Sequence, residues 1–130
     1  MKQMLFKEKY PIYVLEIKKT ETTYKNIDEV FEFLKQKIQN HPVGVFIASF
    51  DHMAHTKSFE DYVVADGIID AKNLIFCFGK EIPTSKIMAV RPRSIGACEF
   101  EDHFEFSILE VPNENLHQVV ENWIKEIANK

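Results

Sequence analysis

Two amphipathic helical patterns, one in the first third of the chain and one at its end, restrict the fold more than any other feature. The first pattern follows Asn26, whose spacing to Glu29 is that of a capping box, and Pro42 ends it. The second begins at Pro112 and Asn113. Apolar residues recur at every third or fourth position: Ile27, Val30, Phe31, Leu34 and Ile38, then Leu116, Val119, Val120, Trp123, Ile124 and Ile127. Each helix must bury this stripe against a second layer.

Strand-like apolar runs supply that second layer. They predict strands at residues 11–20, 43–50, 74–78, 87–90, 94–101 and 104–111. Segment 43–50 is apolar on both faces, which predicts a buried central strand. Residues 51–70 are irregular and are predicted to form a polar loop with a helical turn at 59–64. The order β-α-β-(loop)-β-β-β-β-α predicts an α+β two-layer sandwich: a mixed, mostly antiparallel sheet of four to six strands with both helices on one face.

Length and charge exclude several classes of protein. The 130 residues predict one domain, residues 1–130. A net charge of −4 argues against nucleic-acid binding, and no apolar run reaches the roughly 18 residues of a membrane helix. The N-terminus lacks the apolar region of a signal peptide, and Cys77 and Cys98 each lie in an apolar run. We therefore expect a cytoplasmic protein with two buried thiols and no nucleic-acid or membrane partner.

Two short motifs follow the second and third long strands. They are Asp51-His52-Met53-Ala54 and Phe76-Cys77-Phe78-Gly79. With the layout of residues 20–127, they resemble a family of small bacterial α+β domains of unknown function, which have an Asp-His-x-Ala segment and a strand that ends in Phe-Gly. The resemblance implies a compact fold that self-associates and has no established reaction. It predicts a homodimer.

The densest polar cluster is Asp51, His52, His55 and Thr56, directly after a predicted strand. Two histidines three residues apart share one face if the segment coils helically, and Asp51 could ligate a metal or orient an imidazole. A divalent metal such as zinc needs three or four such ligands. The residues that could complete the site are Cys98, Glu99 and His103. The alternative interpretation is that Asp51 caps a turn and the histidines are polar loop residues.

The only two arginines, Arg91 and Arg93, flank Pro92. The planar guanidinium suits a carboxylate or phosphate, so these residues are candidates for holding an anionic ligand. The alternative is that they form ion pairs with Glu99 and Glu105 across the sheet.

Three function hypotheses remain open at this point. The first is a binding module for a small ligand or metal near Asp51, His52 and His55. The second is an enzyme in which His52 is a general base oriented by Asp51 and in which the arginines hold an anionic substrate. The third is a structural or regulatory homodimer joined through a sheet edge. They are distinguished by whether residues 51–56, 91–93 and 98–103 surround one pocket.

The predicted hairpin at residues 94–111 has two possible registers. A two-residue turn at 102–103 would oppose Glu99 to Phe106 and leave neither face cleanly apolar. A three-residue loop at 101–103 would oppose Cys98 to Phe106 and Glu99 to Glu105, with an arginine between the two carboxylates. This register separates apolar from polar residues most cleanly. It predicts that Cys98 is a core thiol and that Cys98 and His103 form no catalytic pair.

Overall fold

The computed structural model describes residues 1–110 and 113–130. Within these residues the strands are β1 (Lys2–Phe6), β2 (Tyr10–Lys18), β3 (Gly44–Asp51), β4 (Asp70–Phe78), β5 (Arg93–Glu99) and β6 (His103–Leu109). The helices are α1 (Ile27–Gln39), α2 (His52–Lys57) and α3 (Glu114–Lys125), with 3-10 helices at Lys19–Glu21 and Ser85–Val90. Val111, the predicted end of the hairpin, and Pro112, the predicted start of the last helix, lie outside the described residues.

The strands form one six-stranded sheet in the order β1-β2-β6-β5-β4-β3. The predicted α+β fold is confirmed, with the sheet at its upper limit of six strands. All five pairings are antiparallel, so the sheet is more regular than the mixed sheet that we expected. Four of these pairings join strands that are consecutive in the chain: β1 with β2, and β3 to β6 in sequence. A strand that turns back beside the preceding strand pairs with it antiparallel.

Both long helices pack on one face of this sheet, as predicted. The Asn26 side chain accepts a hydrogen bond from the Glu29 amide at 2.9 Å, and Asn113 accepts one from the Leu116 amide at 3.2 Å. These caps satisfy amide groups that have no partner inside the helix. The apolar stripes of α1 and α3 join one core with the inward side chains of β4, β5 and β6. None of the helices in the described part of the chain has the length and apolar character needed to cross a membrane.

The opposite face of the sheet, here called the open face, carries neither long helix. Because side chains alternate along a strand, burial of Leu74, Phe76 and Ile95 on the helical face places their neighbours on the open face. This face is partly apolar: Met4 and Phe6 of β1 are 46% and 50% exposed. The candidate site lies on this face.

Three local predictions were wrong. Residues 43–50 form an edge strand rather than a central one, since β4 is their only neighbour among the described strands. Residues 52–57 are helical because the Asp51 side chain accepts a hydrogen bond from the Ala54 amide at 2.9 Å, whereas 59–64 contain no helix. Residues 85–90 form a 3-10 helix instead of a strand, with Thr84 as its cap.

The predicted register of the β5–β6 hairpin was also wrong. Glu99 is opposed to Phe104 and Cys98 to Glu105, because a bond from the Phe100 amide to the His103 carbonyl at 2.8 Å closes a longer turn. Glu99 therefore lies on the helical face, where Lys19 meets its carboxylate at 2.8 Å, so no arginine is needed. Cys98 is a half-buried thiol on the open face and not a core residue. Cys77 is also half-buried and free.

Candidate functional site

A cavity of about 650 Å³ lies on the open face. Its apolar wall comes from β1, β2 and the end of β6, and consists of Met4, Phe6, Ile12, Val14 and Leu109. Ala89, Val90, Pro92 and Arg93 border it on the side of β5, and Asn73, Ser94, Gly96, Glu105 and Ser107 contribute polar groups or backbone. An apolar concavity with a few polar groups is the usual form of a small-molecule site.

The floor of the cavity depends on Gly96. A Cβ atom at this position would lie 3.1 Å from the Ser107 hydroxyl oxygen and 3.7 Å from the Asn73 side-chain nitrogen. The glycine therefore leaves open the space between β4 and β6 that a side chain would fill. A larger residue at position 96 or 107 would project into the same space.

Arg93 borders this cavity and also a smaller one, of about 70 Å³, that Phe78 and Leu116 line. Because it is opposed to Phe76 on β4, its side chain leaves the strand on the helical face. Its guanidinium donates hydrogen bonds to the carbonyl oxygens of Val90, Leu109 and Glu110 at 3.2, 3.0 and 2.9 Å. Burial lowers the pKa of this group, because leaving water disfavours the charged form. Within residues 1–110 and 113–130 no carboxylate pairs with it, so the predicted ion pairs with Glu99 and Glu105 do not form.

Glu105 is a second charged residue that lines the cavity. It is half-buried and lies opposite Glu16 on β2 and Cys98 on β5. Burial raises the pKa of the Cys98 thiol, and the charges of Glu105 and Asp70 raise it further. Cys98 and His103 do share the open face, but a raised pKa keeps the thiol protonated and therefore a poor nucleophile. The raised pKa of Cys98 does not favour thiol catalysis.

The Asp51 cluster lies elsewhere, at the end of the β3 edge strand. Asp51 caps α2 and lies 3.9 Å from the Lys72 ammonium, which is itself bonded to Asp28 at 2.6 Å. His52 contacts Thr56 through its Nδ1 atom at 3.1 Å rather than Asp51. The predicted orientation of His52 by Asp51 is therefore absent from this geometry.

The two histidines do share one side of α2, with ring centroids 6.2 Å apart. Phe50 and Phe59 flank them, at 5.7 and 5.3 Å from the His55 ring. Among the described residues, no three His, Cys, Asp or Glu side chains come together as a metal site. Metal binding at His52 and His55 stays a prediction.

The three segments singled out in the sequence do not surround one pocket. Asp51 is opposed to Lys72 and Lys72 to Ala97, four residues along β5 from Arg93. At about 3.4 Å per residue, this offset separates the two positions by about 14 Å along the strands. Of the candidate site residues, Arg93 lines the cavity, whereas Arg91 donates to the Glu81 carbonyl at 2.7 Å.

Sequence reasoning missed Met4 and Phe6 because it did not recognise β1. The turn from β1 to β2 is Lys7-Glu8-Lys9, which lacks the glycine or asparagine that usually marks a tight hairpin. Lys7 and Glu8 nevertheless adopt positive φ angles of 52° and 61°. The available signal was the short apolar run at residues 4–6, next to a longer strand.

Comparison with known proteins gives a family but no activity. A search of the curated proteins and a search of the solved structures each found no match. A model of a family of unknown function, DUF6858, matches residues 1–129. This agrees with the small domain of unknown function that the sequence resembled, and the match spans nearly the whole chain. The chain therefore belongs to the DUF6858 family.

Proposed function

We propose that this protein is a binding module for a small amphipathic anion, which occupies the cavity on the open face of the sheet. The observation that carries the proposal is a cavity of about 650 Å³ whose wall is largely apolar and which Arg93 borders. Small-molecule sites in proteins typically enclose roughly 300–1,000 Å³. The cavity thus fits a ligand with the bulk of two or three fused or linked rings.

The apolar part of the ligand would rest on β1 and β2. Met4 and Phe6 are about half exposed, and Ile12 and Val14 lie beside them in the paired strand. Covering such side chains is favourable by roughly 25 cal/mol for each Å² of apolar surface removed from water. An apolar ring system supplies that cover.

The acidic group of the ligand would meet Arg93. This guanidinium is half-buried and bonds to carbonyl oxygens among the described groups. A carboxylate or sulfonate could accept its remaining N–H bonds, and such charge-assisted bonds contribute roughly 1.5–3 kcal/mol. Arg93 therefore keeps its predicted role as a ligand-binding residue. Arg91 and Thr56 have no place in this site, since neither lines the cavity.

A titration with anilinonaphthalene sulfonate, an amphipathic aromatic anion, tests the proposal. We expect one probe per chain, with enhanced fluorescence, and about tenfold weaker binding of the uncharged N-phenylnaphthylamine because it lacks the anion. Ser107→Phe should abolish binding of both probes by filling the cavity. Ser85→Phe is the matched control, since Ser85 is exposed and does not line the cavity.

The charged contact has its own variant. Arg93→Gln should reduce binding of the sulfonate to the level of the uncharged probe, in protein that still melts cooperatively. Equal binding of the sulfonate to the wild type and to Ser107→Phe would refute the cavity as the site. Equal binding of the two probes to the wild type would refute the anionic class of ligand.

No observation favours the enzyme hypothesis over this function, because His52, Asp51 and the arginines do not converge. The cytoplasmic location inferred from the sequence stays a prediction.

A further inference from the structure

We infer that the ligand of the cavity on the open face carries a basic nitrogen, as an ammonium or amidinium group, which binds over Gly96 between Glu105, Ser107 and Asn73. The inference rests on the proposed function, because it concerns the same cavity. It narrows the proposed ligand from an amphipathic anion to an amphipathic molecule with a positive group at its other end.

The first observation is that Glu105 lines the cavity without a positively charged partner. Its side chain is half-buried, and among the described residues no lysine, arginine or histidine forms an ion pair with it. Its cross-strand neighbours are Glu16 on β2 and Cys98 on β5, so neither supplies a cation. Like charges that lie opposite one another disfavour strand pairing. A positive group of the ligand would offset this repulsion.

The negative charge of Glu105 also acts on the neighbouring strand. Burial raises the pKa of the Cys98 thiol, and the charges of Glu105 and Asp70 raise it further. The electrostatic potential at this end of the cavity therefore disfavours a second anion. A cation that binds beside Glu105 is stabilised by the same potential.

The second observation is the open space above Gly96. A Cβ atom at this position would lie 3.1 Å from the Ser107 hydroxyl oxygen and 3.7 Å from the Asn73 side-chain nitrogen. Because glycine has no Cβ, a ligand nitrogen can occupy this point, at hydrogen-bond distance from the Ser107 hydroxyl. Glu105 lies two residues from Ser107 on the same face of β6, which is about 7 Å along the strand. A basic group that extends from Gly96 towards Glu105 contacts both side chains.

The polar groups around this space are suited to a hydrogen-bond donor. The Asn73 side chain donates to the Ser94 hydroxyl at 3.1 Å, which leaves its amide oxygen as an acceptor. The Glu105 carboxylate accepts only, and the Ser107 hydroxyl can accept as well. An ammonium group donates hydrogen bonds and accepts none, so it complements this set.

The acidic and basic groups of the ligand would bind at opposite ends of the cavity. Arg93 is the first residue of β5, and Glu105 is opposed to Cys98, five residues further along that strand. At about 3.4 Å per residue, the two positions are about 17 Å apart along the strand. A ligand whose charged groups are separated by an apolar ring system matches this arrangement.

Two fluorescent probes that differ only in a terminal ammonium group test this inference: dansylcadaverine, which has it, and N-pentyl dansylamide, which lacks it. We expect the wild type to bind dansylcadaverine about tenfold more tightly, because its ammonium forms charge-assisted hydrogen bonds with a half-buried carboxylate. Glu105→Gln should give the two probes equal affinities, in protein that still melts cooperatively. Glu16→Gln is the matched control, since it removes the same charge from the opposed position outside the cavity, and it should keep the preference.

Each contrary result overturns the inference. Equal binding of the two probes to the wild type would refute the basic group, and an unchanged preference in Glu105→Gln would refute its contact. An equal loss of preference in both variants would assign the effect to the general charge of the face. Retained binding of dansylcadaverine by Ser107→Phe would place it outside the cavity.

The result is distinguishable from the test of the proposed function. If anilinonaphthalene sulfonate binds in the cavity and the two dansyl probes do not differ, the basic group is refuted and the proposed function stands. If the sulfonate and both dansyl probes fail to bind the wild type, both are refuted.

Discussion

Trp123 is expected to contribute more to stability than any other single side chain of α3. It is 8% exposed, and its ring lies 5.6 Å from Phe78 on β4 and 5.9 Å from His41. Trp123→Ala would leave a cavity between the helix and the sheet, at a cost of roughly 3–5 kcal/mol. A domain has only about 0.05–0.15 kcal/mol of stability per residue, so this loss is a large share of the total.

Urea denaturation measures the effect. With a slope of roughly 2 kcal/mol per molar urea, a loss of about 4 kcal/mol lowers the midpoint by about 2 M. The transition is followed by far-UV circular dichroism, because Trp123 is the only tryptophan and the variant has no indole signal. Trp123→Phe is the control and should cost less, since it keeps an aromatic ring. A loss below about 1 kcal/mol, or wild-type emission like that of indole in water, would refute the assigned packing.

Three further outcomes are expected. Glu99→Gln should lower stability by roughly 1–3 kcal/mol in urea denaturation, because it removes the charged partner of Lys19; an unchanged midpoint would contradict a structural role for the pair. Cys98 should react slowly with a thiol reagent at pH 8, and its rate should keep rising above pH 9.0, because its thiol pKa is raised in the folded state. Fast labelling at pH 8 would show an exposed thiolate. Zinc titration calorimetry should give less heat for the double variant His52→Ala, His55→Ala than for the wild type, and equal heats would place any zinc site elsewhere.

The register of the β5–β6 hairpin could not be predicted from the local sequence. The choice of register assumed that a glutamate belongs on the outer face, which is correct for most exposed strands. The structure places Glu99 on the helical face because Lys19, 80 residues away in sequence, meets its carboxylate at 2.8 Å. A local pattern cannot reveal such a partner. The same wrong register led to the prediction that Cys98 is a core thiol, whereas it is half-buried on the open face.

The β3 strand shows a second limit. Its apolar residues on both sides indicated burial, and periodicity alone does not say whether a neighbouring strand is present. Of the candidate site, Arg93 was found from residue type, since an arginine is suited to an anion. The remaining cavity residues come from all strands except β3 and from the end of the 3-10 helix at Ser85–Val90, and none carries a motif.

The sequence by itself determined the two long helices, their caps and the α+β class. These features depend on residues within four positions of one another, so the signal is contained in the local pattern. Tertiary structure decided the open face, the cavity and the position of β3 at the edge of the sheet. Each depends on which strands become neighbours, as when β2 pairs with β6 across some 90 residues of chain. Such pairing follows from the packing of the whole domain, which no single segment encodes.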